Sequence, residues 1–200
     1  MGHARYGPDL WALLPGGKPP APGRLRTVQA FVNTVNRESG EDVIADPDGL
    51  RAWLDRFELL DAECAIDEVA VERARTLREA LRDLLRANAG HDVQIEVARA
   101  EVEHVGRSAH LALRLDGGAP LVPLARGLDG AFGTIVALMG EAMLDGSWPR
   151  LKACRREVCR WAFYDHSHAG TGTWCSMSIC GSRSKASSYR DRHGRGDGAG

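Results

Sequence analysis

Nothing in this chain approaches the roughly 18 consecutive apolar residues that a bilayer-spanning helix requires. The N-terminal stretch has no charged region followed by an apolar segment, because five prolines interrupt residues 1–23, so no secretory leader is expected. A soluble protein in a reducing cytoplasm is the expected setting, and stable disulfides are not expected there. Catalytic signatures are missing as well. There is no Walker loop, no H-E-x-x-H, no G-x-S-x-G and no dinucleotide glycine fingerprint after a strand. Cysteine is scarce, with five in 200 residues. Cys64 lies at the entry to an apolar helix, where a buried structural thiol is the ordinary reading rather than a nucleophile. The chain is therefore read as not an enzyme.

The other four cysteines fall in one short segment: Cys154 and Cys159 as C-x4-C, then Cys175 and Cys180 as a second C-x4-C after a 15-residue spacer. Each pair can supply two thiolates to one edge of a tetrahedron, which is the requirement of a closed structural zinc site. A segment of roughly 45 residues buries too little surface to fold readily without a staple, and a metal supplies one because its binding free energy becomes folding free energy. Trp161, Phe163, Tyr164 and Trp174 can wall off such a centre. One structural Zn2+ per chain is the expected cofactor, with no open position for catalytic water. A redox-responsive zinc site and a metal-free role are the alternatives, and His166 or His168 could replace one cysteine.

A net charge of -1 hides an asymmetry. Residues 1–149 hold 16 Lys and Arg against 23 Asp and Glu, whereas residues 150–200 hold ten against four. The basic excess coincides with the cysteine segment, as a nucleic-acid contact surface demands.

Along the chain, residues 1–22 read as an irregular leader. Leu25, Val28, Phe31, Val32 and Val35 recur at helical spacing until Ser39-Gly40. Asp46-Pro47 is an N-cap followed by proline at the first helical position, opening a helix that buries Leu50, Trp53, Leu54 and Phe57. The longest periodic run spans about residues 65–87, with Ile66, Val69, Ala70, Ala74, Leu77, Leu81, Leu84 and Leu85 on one face and Arg75, Glu79, Arg82 and Arg86 largely off it. A weaker helix is expected over about 92–103. A β-hairpin is expected from 110–115 and 120–125 around Asp116-Gly117-Gly118. A last helix over about 130–144 carries Phe132, Ile135, Val136, Leu138, Met139 and Met143, and Trp148-Pro149 reads as a hinge. The fold class is α+β and mainly helical. It comprises a leader (1–22), a helical body with a small hairpin (23–147), a four-cysteine finger with a short hairpin and a C-terminal basic helix (148–193), and a disordered tail (194–200).

The run Leu151-Lys152-Ala153-Cys154, Cys159-Arg160-Trp161-Ala162-Phe163-Tyr164-Asp165-His166-Ser167, Trp174-Cys175-Ser176-Met177 and Cys180-Gly181-Ser182-Arg183-Ser184-Lys185 resembles the CGNR-type zinc finger of bacterial, particularly actinobacterial, proteins. Phe31-Val32-Asn33-Thr34, Trp53-Leu54 and Leu77-Arg78-Glu79-Ala80-Leu81 resemble the alanine-rich ABATE domain that accompanies this finger, a family named for stress-induced transcription regulation. The resemblance covers about residues 25–193 and implies a bacterial transcription regulator. Two positions depart from the pattern: Ser182 stands where asparagine is usual, and Ala30 where aspartate is common.

Arg155, Arg156 and Arg160 form one basic edge of the finger, and a helix after Cys180 would carry Arg183, Lys185, Arg190 and Arg192. Such a helix can approach phosphates or enter a major groove, with Arg183 as the residue to read a guanine edge. Double-stranded DNA is the expected partner. Asn33, Thr34 and Arg78 are the polar positions of the body that a small-molecule effector pocket would use, and homodimerisation is the body's other expected role. The competing reading is a zinc-stabilised protein-interaction adaptor.

Overall fold

A computed structural model describes residues 18–60, 64–115 and 120–184. Its fold is α+β and mainly helical. The first helix, α1, is Leu25–Val32, and α2 is Pro47–Arg56. The Asp46 side chain accepts the Gly49 N–H at 2.8 Å, so α2 starts where the Asp-Pro signal places it. The long helix α3, Glu68–Asn88, is capped in the same way by Asp67, which accepts the Ala70 N–H. Then come α4, Glu96–Ser108, the antiparallel pair β1, Leu111–Leu113, with β2, Leu121–Pro123, and α5, Gly127–Leu144. The turn expected at Asp116-Gly117-Gly118 lies outside the described residues.

Apolar faces of α1 to α5 meet in one core that includes Val28, Phe31, Leu54, Leu77, Leu81, Leu85, Phe132 and Ile135. Helix α5 is apolar on most sides because it is packed on several, by α1, α4 and β2. By length and composition its 18 residues, with a mean hydropathy of 1.3, are long and apolar enough to cross a membrane, against the expectation from sequence; half of them are buried inside the protein, as in a core helix. At Gly133 a Cβ would stand 2.2 Å from that of Ala109, so only glycine lets the hairpin root lie against α5.

Several expectations need correction. Helix α1 stops at Val32, short of Ser39-Gly40, because Val35 pairs with Asp42 and draws the chain into an extended bridge. Helix α4 begins at Glu96 rather than near 92. Val69 and Met143, placed on apolar faces, are exposed, since the buried sides of these end turns are taken by Ala70 and Val71 in α3 and by Ala142 in α5. Arg82, placed off the apolar face, is only 1% exposed.

The burial of Arg82 follows from what lies above it. After a 3-10 turn at Trp148–Arg150 come β3, Leu151–Ala153, and β4, Ala162–Tyr164, paired with Leu151 opposite Tyr164 and Ala153 opposite Ala162. Side chains alternate across a strand pair. Leu151, Ala153, Ala162 and Tyr164 join the body's core, while Phe163 turns to a separate cluster formed with the cysteines. Buried and half-buried polar side chains of the body satisfy this hairpin's backbone. Asn33 donates from Nδ2 to the Ala162 carbonyl at 2.9 Å and accepts the Ala162 N–H on Oδ1 at 2.7 Å. Gln29 donates to the same carbonyl, and Arg82 donates to the carbonyls of Val32 and Arg160 at 2.6 and 2.9 Å. Asn88 donates to the carbonyls of Trp148 and Leu151, and Trp148 is buried. The expected hinge at Trp148-Pro149 is therefore a packed joint.

Removing a buried hydrogen-bonded charge leaves its acceptors unpaired. Arg82→Met is thus expected to lower unfolding free energy by about 2–4 kcal/mol in urea denaturation followed by tryptophan fluorescence. A change below about 1 kcal/mol would place the Arg82 contacts in the surface class.

Candidate metal centre

The finger brings its two cysteine pairs together through backbone hydrogen bonds. Cys154 follows β3 directly and donates its N–H to the Trp161 carbonyl at 2.9 Å. The Arg156 carbonyl accepts the N–H groups of Cys159 and Arg160, which folds 154–160 into a tight knuckle with Arg160 at φ 46. Arg155 donates to the Thr173 carbonyl and so fixes the second segment beside the first. There, the carbonyl of Ser176 accepts from Cys180 and Gly181 in a π-helical turn, Met177–Gly181, and its hydroxyl accepts from Ile179.

The four Sγ atoms of Cys154, Cys159, Cys175 and Cys180 all lie within 4.8 Å of one another, and all four residues are buried. Cys159 and Cys175 are 3.7 Å apart at sulfur, and Cys175 and Cys180 3.6 Å. A tetrahedral thiolate site with bonds of about 2.3 Å has sulfur edges of about 3.8 Å, so the donor set fits a four-coordinate zinc. Trp161 and Phe163 are buried against the cluster and Trp174 packs on it. His166 faces the carbonyls of Pro19 and Pro20, and His168 is exposed; neither joins the group. Cys64 lies apart, against Gly127.

The thiols of Cys154, Cys159 and Cys175 hydrogen-bond to one another. Hydrogen bonds from Cys159 and Cys175 lower the Cys154 pKa to about 2 despite burial. The bond to Cys154 in turn pushes Cys159 up to about 12, and bonds to Cys154 and Cys159, with burial, raise Cys175 further. A metal that takes all four as thiolates must therefore expel protons.

Behind the cluster, a buried ion pair fixes the loop between the knuckles. Lys152, opposite Phe163 on β3, donates from Nζ to Asp165 Oδ2 at 3.0 Å and to the carbonyls of Gly170 and Gly172. Asp165 also accepts from the Ser167 N–H and hydroxyl and from the Gly172 N–H at 2.6 Å. A Cβ on Gly172 would meet the carboxylate at 2.8 Å, so this approach requires glycine. Burial alone would raise the Asp165 pKa, but the bonds from Ser167, Lys152 and Gly172 outweigh it and hold the carboxyl well below the usual range. Arg150 closes the loop from outside by donating to the carbonyls of Asp165, Ser167 and His168. Lys18 donates to the Trp174 carbonyl at 2.9 Å and lies over the Phe163 ring.

The sequence-derived basic residues meet different fates. Arg155 is exposed. Arg160 pairs with Glu157 within the first knuckle. Arg156 and Arg183 both pair with Glu38 of the body, at 3.0 and 2.7 Å, so Arg183 does not stand free as expected. Lys185, Arg190 and Arg192 lie outside the described residues. Ser182 keeps a local bond, donating to the Met177 carbonyl at 3.3 Å. Of the three body positions, Asn33 is the clamp on β4. Thr34 donates to the Phe31 carbonyl and accepts from Arg78, and Arg78 makes a two-pronged pair with Asp42 at 2.7 and 2.9 Å. Their polar atoms are thus engaged inside the protein, and the open groove of about 590 Å³ between α3 and α4 is lined by other residues, including Glu72, Asp83, Val97 and Glu101. Gln29, Asn88 and Glu38 carry no signal in the sequence reading, and Arg82 is placed there only as a residue off the apolar face. The only signal for Arg82 was its i,i+4 relation to Arg78 beside the leucine stripe.

Two family models match the chain. Residues 150–193 match the CGNR zinc finger, and residues 25–144 match ABATE, described as "Putative stress-induced transcription regulator". The chain belongs to the ABATE family and carries a CGNR zinc finger beside that domain. Among curated proteins, none matches it.

Two outcomes are expected. Because Cys159 and Cys175 are held as thiols before metal binds, zinc uptake should release at least two protons, and competitive chelator titrations should show affinity falling by about two log units per pH unit on acidification near neutrality. An affinity independent of pH would contradict the assignment. The depressed Asp165 pKa contributes stability present above the unfolded value of about 4 and lost as pH falls through the folded one. Asp165→Asn should therefore be less stable than wild type at neutral pH, with the gap closing below about pH 4; metal release in acid is common to both proteins, so their difference isolates the carboxylate.

Proposed function

We propose that this protein is a zinc-dependent, DNA-binding transcriptional regulator of the cytoplasm. One zinc per chain is held by Cys154, Cys159, Cys175 and Cys180 and acts structurally, by locking the two knuckles in an arrangement that buries all four sulfurs. The observation that carries this reading is the four-thiol cluster inside a CGNR finger whose segment, residues 150–200, is the basic part of an otherwise acidic chain. Arg155, Arg156, Arg160 and Arg183, continued by Lys185, Arg190 and Arg192, supply the phosphate contacts.

For the body we propose a positioning role. It grips the hairpin of the finger through Asn33, Arg82 and Asn88, so an effector or a second copy bound to the body would change DNA binding by altering that grip rather than by swinging the finger about a linker. Purified, zinc-loaded protein should shift genomic DNA fragments in a gel, with each phosphate contact adding about 0.9 to the log-log salt slope. Chelation should abolish the shift. A folded, zinc-loaded protein that shifts no fragment at low salt would refute the reading and favour a protein-interaction adaptor.

A further inference from the structure

The loop after α1 is built to aim one carboxylate at the finger. The Asn36 side chain accepts the N–H groups of Glu38 and Ser39 at 3.1 and 3.3 Å, and backbone bonds from Asn36 to Glu41 and from Gly40 to Asn36 close the turn. Glu38 projects from this turn across the seam. Its Oε2 accepts from Arg156 Nη1 at 3.0 Å and its Oε1 from Arg183 Nη1 at 2.7 Å. The two guanidiniums come from opposite ends of the finger, one between Cys154 and Cys159 and the other three residues past Cys180. One body carboxylate thus fills a fork that only the folded finger creates.

Two properties mark this contact as exchangeable. Glu38 and Arg183 are 46% and 55% exposed at the side chain, and ion pairs in that setting are weak. A phosphodiester presents two anionic oxygens on one atom, as a carboxylate does, and paired guanidiniums are the usual receptor for either.

We propose that Arg156 and Arg183 form a single phosphodiester-binding site and that Glu38 occupies it as an internal competitor. The body then sets the DNA affinity of the finger by mimicking a phosphate. This rests on the DNA-binding reading above, and it makes Arg183 a phosphate contact rather than the base-reading residue that its place after Cys180 suggests.

The test is fluorescence anisotropy with a labelled random-sequence duplex over a salt series, using full-length zinc-loaded proteins. Glu38→Gln should bind about three- to thirtyfold more tightly than wild type at low salt, the range that one exposed and one half-buried pair can supply. Its log-log salt slope should be steeper by about one unit, because a displaced wild-type Glu38 takes up a cation and cancels part of the counterion release. Adding Arg156→Ala or Arg183→Ala to Glu38→Gln should erase the gain. Equal affinities for wild type and Glu38→Gln, or a gain that survives both arginine substitutions, would overturn the competitor while leaving DNA binding intact. If no protein binds the duplex, the DNA reading fails, and sulfate decides the anion site. A larger sulfate-induced rise in melting temperature for Glu38→Gln than for Glu38→Gln/Arg183→Ala would uphold it, and equal rises would overturn it.

Discussion

The pairing of β3 with β4 is the constraint on which the rest of this structure depends. Only three residues long on each side, the hairpin has the body's core on one face and the cysteine cluster on the other. Alternation along a strand makes this division of faces possible, and a slip of one residue would exchange them. The register is held by side chains of the body. Asn33 imitates a third strand by exchanging both of its amide bonds with Ala162, while Arg82 ties the end of α1 to Arg160 in the first knuckle. Buried and half-buried polar groups so placed fix geometry through the cost of leaving any partner unpaired.

This organisation alters what a metal held by the four cysteines would stabilise. In an independent finger, the free energy of metal binding folds the finger alone. Here the strands that lead into Cys154 and out of Cys159 are also part of the body's core, so ordering the thiols orders the seam. The charges follow the same line. Glu79 faces Arg37, Arg78 and Arg82, and these outweigh the effect of its burial to lower its pKa, so the body neutralises its own cations beside the joint.

Much of this was legible in the sequence. The cysteine spacing picks out the four thiols that cluster, Asp46-Pro47 locates the start of α2, and the two short runs flanking Asp116-Gly117-Gly118 locate the hairpin of the body. The seam was not legible, for a physical reason. Asn33, Arg82 and Asn88 bond to backbone groups, which carry no residue identity, at positions 129, 78 and 60–63 residues away in sequence. Pattern reading assigns polar residues on a helix to solvent or to a ligand, and Asn33 and Arg82 were read in those two ways. Trp148-Pro149 reads as a hinge for the same reason, since nothing local announces that Asn88 holds the carbonyl of Trp148. Glu38 lies in a turn whose chemistry is local, yet its two partners become neighbours only once the finger has closed.

The central claim is that finger and body are one cooperative unit joined through this hairpin. Native-state hydrogen exchange on metal-loaded and chelated protein tests it most directly, with the Ala162 amide compared against core amides of α3 such as Leu81 and Leu85. The account predicts that with metal bound these amides share one opening free energy, and that chelation lowers all of them together. Loss of protection at Ala162 with the α3 amides unchanged would contradict it.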